Sequence, residues 1–312
     1  MIDFRYHIVS LISVFLALAL GIVVGTTQLN GAVLSDLRHQ VKGLKNDKHN
    51  LQQDSRSLQG QLNASDAFAK SVAPAVVGGR LVGDNVLVVA APGADGGTVS
   101  GVTKEIQTAG ATITAQVNLT GEYTDPRRAA DLKQYITSAL PAGFRLPTTD
   151  DAGVLAGSLL ADVLAGKSGQ QQPTKSERQQ VLAGFSTLNV MRLQDTDIKT
   201  ADYAILVTSG AGSGDNPQAQ ARTLAALASA LQARSKAVLI AGDNNSAGPD
   251  GLLGAIRSDD ALAGKISTVD NANSVAGQVV SVLGLAQLGA GKASGQYGTA
   301  DNAGSPLPSL TS

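Results

Sequence analysis

The stretch from Ile8 to Val24, IVSLISVFLALALGIVV, constrains everything after it: it carries no charge, and no charged side chain occurs between Arg5 and Asp36. With a rise of roughly 1.5 Å per residue, a helix of that length is enough to cross a hydrocarbon core of about 30 Å. Ser10 and Ser13 are compatible with such a helix, because a helical serine can bond back to its own backbone. Ser13, Ala17, Gly21 and Gly25 recur every four residues, and Gly21 to Gly25 is a GxxxG. That spacing lets two membrane helices approach closely. A cleaved signal peptide and an ordinary buried helix are the rival readings. The apolar region is too long for the first and no A-x-A site follows it. The expectation is an uncleaved transmembrane anchor over residues 1–29.

From Leu34 the apolar period changes. Leu34, Val41, Lys48, Ser55 and Leu62 fall on a heptad position a, and Leu37, Leu44, Leu51 and Leu58 on position d. This 3-4 spacing, carried on through Ser65, Ala69, Val72 and Val76, predicts a coiled-coil stalk over residues 30–77. Leu at d is the dimer-like choice, and a polar Lys48 at a fixes register while costing stability. A long amphipathic helix folded back on its own domain is the alternative. Gly43 and Gly60 lie on outer positions, each weakening a helix by about 1 kcal/mol relative to Ala. If continuous, the stalk is roughly 60 Å long, and Pro74 is expected to end it. The small-residue face and the heptads together predict a homo-oligomer formed through the N-terminal helices. Arg5 precedes the span while Arg38, Lys42 and Lys45 follow it. Long downstream domains translocate largely regardless of such charges, so the expected topology is a single-pass, N-in anchor with the body outside the cytoplasm.

The remainder reads as α/β. Short apolar runs at Val86–Ala91, Ala204–Thr208 and Ala237–Ala241 suit strands buried on both faces, and Ala111–Val117 and Ile266–Val269 are further strands. Helical spacing at Val99–Ala109, Gln218–Arg234 and Ala272–Leu288 alternates with them. The expectation is a mostly parallel, Rossmann-like three-layer domain over residues 80–289. A helical insertion at about 127–190 is broken by Pro141, Pro147 and the polar run Ser168–Thr174. Residues 290–312, rich in Gly, Ser, Ala, Asn and Pro, read as a disordered tail.

Chemistry is sparse. With 24 basic and 25 acidic residues there is no electrostatic footprint for nucleic acid, and with no Cys there is neither a disulfide nor a thiolate site. His7, His39 and His49 all precede the body, the latter two at outer heptad positions f and b. A Ser-His-Asp site within the body is therefore ruled out for this chain alone. A paired-carboxylate site stays open at Asp150–Asp151 or Asp259–Asp260, though adjacent acids are usually solvated helix caps. Glycine-rich loops follow three of the strands, at Pro92–Thr98, Ser209–Asp215 and Gly242–Asn245. Loops at the carboxyl ends of parallel strands are where open sheets place ligands. None matches GxGxxG or a Walker loop, and Asp215 and Asp243 would repel phosphate. They read as plain turns, the chain as a non-enzyme without a resident cofactor. A tight copper site lacks ligands, with only Met1 and Met191 and no His in the body; a transient path lined by Asp and carbonyl oxygens stays open.

The opening Phe4-Arg5-Tyr6-His7-Ile8-Val9-Ser10-Leu11, the core Phe15-Leu16-Ala17-Leu18-Ala19-Leu20-Gly21 and the Leu heptads resemble the mycobacterial copper transport protein B family of actinobacterial envelope proteins. So do Thr268-Val269-Asp270-Asn271-Ala272, Gly277-Gln278 and Gly295-Gln296-Tyr297-Gly298. The resemblance implies a channel-forming protein of the outer membrane, acting in copper efflux and copper homeostasis, with copper as the transported ion. Five Tyr, five Phe and no Trp do not furnish the aromatic girdles of a membrane barrel, so a pore is expected to be oligomeric and built through helices. The alternative is a non-enzymatic scaffold presenting an α/β module to an envelope partner.

Overall fold

The computed structural model describes residues 4–167, 169–194, 198–212 and 216–309, with the side chains of 26–34 outside that description. The chain divides into two compact units, Met1–Ser65 and Asp66–Ser312.

The first unit is drawn from one helix, α1 (Phe4–Val77). Its segment Phe4–Gly25 is long and apolar enough to cross a membrane and is not packed against protein. Ser13 donates its hydroxyl to the Val9 carbonyl at 2.8 Å, the back-bond expected of a serine in such a helix. Further along, Leu37, Val41, Leu44, Leu51, Leu58 and Leu62 are all exposed.

In the second unit α1 continues through its last turns. Ala73 and Val77 are buried there, beside the half-buried Asp66, Ala69 and Val76. Pro74 does not end the helix, contrary to the sequence expectation; it lies inside it. Its ring deletes a single N–H, and the buried residues on either side hold the turn in place. Termination falls to the glycines instead. Gly78 donates its N–H to the Pro74 carbonyl, and Gly79 adopts φ +77°, which only glycine takes without cost.

The order that follows is β1 (Asn85–Ala90), α2 (Gly96–Thr108), β2 (Thr112–Leu119), α3 (Ala129–Ala139), α4 (Ala152–Leu164), α5 (Lys175–Thr187), β3 (Met191–Leu193), β4 (Tyr203–Val207) and α6 (Pro217–Arg234). Then come β5 (Ala237–Ala241), α7 (Leu252–Arg257), α8 (Asp260–Ala263), β6 (Ser267–Val269), α9 (Val275–Gly289) and β7 (Gln296–Tyr297). The strands form one sheet in the order β3-β2-β1-β4-β5-β6-β7, parallel except for β3 against β2.

Alternation along the strands assigns the layers. Val86, Val88 and Ala90 of β1 join Ile205 and Leu239 in a core with α2 and α9, whereas Leu87 and Val89 join Leu206 and Ile240 in a core with α4 and α6. Both faces of the sheet are therefore buried, which is why the strands are continuous apolar runs. Between β2 and β3 the chain places three helices, α3, α4 and α5, in the stretch read as a helical insertion. α4 lies beside α6, so closely that a Cβ on Gly157 would come within 3.0 Å of the Leu227 Cα. α9 is capped twice: Ser274 accepts the Gly277 N–H, and Asp66 from the end of α1 accepts that of Val275.

The expected disordered tail is the other correction. Gln296–Tyr297 add to the edge of β6, and Gly304 and Ser305 donate back to the Gln296 carbonyl. Too few residues are apolar there to suggest a strand; polar bonds hold the segment.

Candidate functional site

Counting from β1, the parallel strands run outward in both directions, to β2 on one side and β4 on the other. The point of reversal between β1 and β4 opens a crevice at their carboxyl ends, the place where doubly wound sheets take ligands. A small cavity of about 130 Å³ occupies it, between Pro92 and Gly93 after β1, Thr208 to Gly212 after β4, and Gln220 and Leu224 of α6. Two of the three glycine-rich loops read from the sequence thus meet here, while Ser213, Gly214 and Asp215 lie outside the described residues.

Among the described residues, several polar groups of these loops bond one another. The Asp95 N–H donates to the Ser209 hydroxyl at 2.9 Å, joining the β1 and β4 loops. The Gly210 N–H, at φ +68°, donates to both carboxylate oxygens of Asp243 at 2.8 and 3.0 Å, joining the β4 and β5 loops. Asp243 also accepts the Ser246 N–H at 2.9 Å. A carboxylate of the chain itself therefore sits on the amide that a phosphate would use. The Asp95 carboxylate caps α2 through the Thr98 N–H at 2.7 Å, and these bonds hold its acid below the usual carboxylate range. Asp151 and Asp259 each cap a helix, α4 and α8, as their sequence positions predicted.

Among the described residues, no three His, Cys, Asp or Glu side chains gather to hold a metal ion. The late residues singled out for their resemblance have a structural task. Asp270, fully buried, pairs with Arg257 at 2.9 Å and accepts the N–H groups of Thr299 and Ala300. Arg257 also donates to Thr268 Oγ1, Asn302 Oδ1 and the Tyr297 carbonyl. Gln296 bonds the Ala263 and Ile266 carbonyls, and Gly298 takes φ +134° against the Asp270 carboxylate, where a Cβ would collide. The segment is a polar clamp over β6. Sequence reading missed Arg257, whose only signal is a cation within an otherwise apolar short helix.

Elsewhere in the second unit, Asp162 on α4 is buried beside Arg234 at 3.1 Å; burial pushes its acid up and the guanidinium pulls it down. Arg234 also lies 5.5 Å from the centre of the Phe144 ring.

The residues expected to mediate helix packing lie on α1. Ser13, Ala17 and Gly21 are exposed and Gly25 half-buried, with open space where Cβ atoms would extend from Gly21 and Gly25. Leu37, Val41, Leu44, Lys48, Leu51, Leu58 and Leu62 are exposed along the same helix, and Leu34 lies outside the described side chains. With roughly 100° between successive residues, Gly21 and Gly25 face about 100–160° away from Leu37, Val41 and Leu44. The helix therefore carries two faces rather than one continuous seam.

Comparison with known proteins bears on the whole chain. Residues 1–308 match the family model described as "Copper transport outer membrane protein, MctB". The chain is 35% identical over 308 residues to the copper transporter MctB of Mycobacterium bovis and to that of Mycobacterium tuberculosis, covering 97% of this chain and 98% of each relative. It is 32% identical over 312 residues to the protein of that name from Mycobacterium leprae, with the same coverage.

Proposed function

The chain belongs to the MctB family of copper transport outer membrane proteins, and from that membership we propose that it is a membrane-anchored cell-envelope protein acting in copper efflux and copper homeostasis. The observation that carries the reading is the similarity itself, which spans residues 1–308 and so takes in anchor, helix and α/β body. Copper is cargo in this proposal and not a resident cofactor. Phe4–Gly25 is the membrane anchor, with the α/β body outside the cytoplasm and the outer membrane as the location the family description favours.

The proposed conduit is oligomeric. A membrane barrel needs a closed sheet with an outward apolar band; these strands form an open sheet with helices on both faces. The N-terminal helices, with two exposed faces each, are the elements that copies of the chain would use to assemble. Ions would then pass along a transient path of Asp and carbonyl oxygens. A deletion strain tests this: it should accumulate copper and grow poorly in copper-supplemented medium, with both defects reversed by the full chain. Normal copper content and normal growth together would remove the transport reading.

The second reading is a scaffold that presents the α/β body to an envelope partner. The mutual satisfaction of the β1, β4 and β5 loops favours it over a nucleotide-binding role, because the Gly210 amide is already occupied by Asp243.

A further inference from the structure

We propose that a second copy of this chain docks along α1 from Leu37 to Leu62 as a parallel, in-register two-stranded coiled coil, whose register is set by Asp47 and Asp54 meeting Lys48 and Ser55 of the other copy. The proposal deepens the self-association reading above and rests on it.

Six large apolar side chains at the a and d positions, Leu37, Val41, Leu44, Leu51, Leu58 and Leu62, are 51–69% exposed, a length of apolar face that the single helix leaves uncovered. On that face Leu44, Asp47, Lys48, Leu51, Gln52 and Ser55, together with Arg56, line one shallow recess. In heptad terms the first six are consecutive d, g, a, d, e and a residues. They make two overlapping four-residue holes of the kind that receive knobs from a parallel partner. Leu44, Asp47, Lys48 and Leu51 would take the partner's Lys48, and Lys48, Leu51, Gln52 and Ser55 its Leu51.

Charge supports the same arrangement. A side chain at a reaches the g residue just before it on a parallel partner. The polar a residues Lys48 and Ser55 are each preceded by an aspartate, Asp47 and Asp54, whereas the apolar a residues Val41 and Leu62 are each preceded by a glutamine, Gln40 and Gln61. The ammonium of Lys48 would thus lie by the Asp47 carboxylate of the second copy, and the Ser55 hydroxyl would donate to its Asp54. An antiparallel pair centred on the same segment sets g against g, bringing Asp47 beside Asp54, two like charges. The anchor agrees with the parallel choice: two copies held in one bilayer by the same end of α1 run in the same direction.

The chain has no cysteine, so single-cysteine variants of the full chain in native membranes test the proposal by disulfide formation. Leu37→Cys and Leu58→Cys should both give homodimers, because only a parallel, in-register pair brings both ends of the coil to their own copies. Asp47→Lys should lower the association read from Leu51→Cys cross-linking by about tenfold, and Asp47→Lys with Lys48→Asp should restore it. Cross-linking at Leu51→Cys but at neither end would overturn the parallel register. Unchanged cross-linking in Asp47→Lys would remove the charge pairing. Cross-linking at Gly21→Cys alone would sink the coiled coil while leaving self-association standing, and none at any position would remove both.

Discussion

The Arg257 guanidinium meets the Asp270 carboxylate at 2.9 Å with the two side chains only 4% and 0% exposed. A pair so far from water is stabilising only while every donor and acceptor is satisfied; removing one partner strands a buried charge and costs about 3–5 kcal/mol. Arg257→Met and Asp270→Ala are each expected to lose stability on that scale in urea unfolding of the detergent-purified chain. A loss below about 1 kcal/mol would show that water replaces the missing partner without cost. Gly298→Ala, which sets a methyl against the same carboxylate at a left-handed φ, should cost about 1–3 kcal/mol.

Asp243 is the tie between the β4 and β5 loops, through the Gly210 N–H. Asp243→Ala should cost about 1–3 kcal/mol by leaving that amide unpaired, while the Ser246 amide keeps its bond to the Asp243 carbonyl. Asp243→Asn keeps one acceptor oxygen and should cost less. Faster hydrogen exchange at Gly210 in both variants checks the assignment.

The Asp95 carboxyl is held below its ordinary range chiefly by the Thr98 backbone N–H, then by the Thr98 hydroxyl. A depressed carboxylate contributes stability above its unfolded value of about 3.9 and loses it as the pH falls through the lower folded value. Asp95→Ala should therefore unfold earlier than the native chain at neutral pH, by about 1 kcal/mol for a helix cap. The difference should shrink as the pH falls below that unfolded value toward the lower folded one. Melting curves at pH 7 and pH 3 decide it; an unchanged gap would mean the bond does not depend on the charged form.

Gly157 marks the contact of α4 with α6, where a Cβ would lie 3.0 Å from the Leu227 Cα and 3.2 Å from its backbone nitrogen. Backbone cannot yield as a side chain does, so Gly157→Val should cost about 1–3 kcal/mol through overpacking. Thermal unfolding of the variant reads the effect directly.

Much of the sheet was legible because buried parallel strands are apolar on both faces: Val86–Ala91, Ala204–Thr208 and Ala237–Ala241 stand out against polar loops. β3 and β7 escaped notice for the opposite reason. Met191–Leu193 and Gln296–Tyr297 are too short to show a period, and the latter is held by polar side chains whose partners lie about thirty residues away. Pro74 misled because its position near a helix end matters more than its identity. The crevice loops were visible as glycine clusters, yet nothing local indicates that Gly210 and Asp243, thirty-three residues apart, would satisfy each other.

The clamp over β6 also sets an order of events during synthesis. Two of the four groups that Arg257 binds, the Tyr297 carbonyl and Asn302, come from the segment that closes the sheet edge. Until residues 296–302 have been made, the emerging chain carries a half-satisfied cation and an open strand edge, both of which invite pairing with a neighbouring chain. The body can collapse around β1, β4 and β5 before then, but its sheet is sealed only afterwards. A chain ending just short of that point would keep both the half-satisfied cation and the uncovered β6 edge.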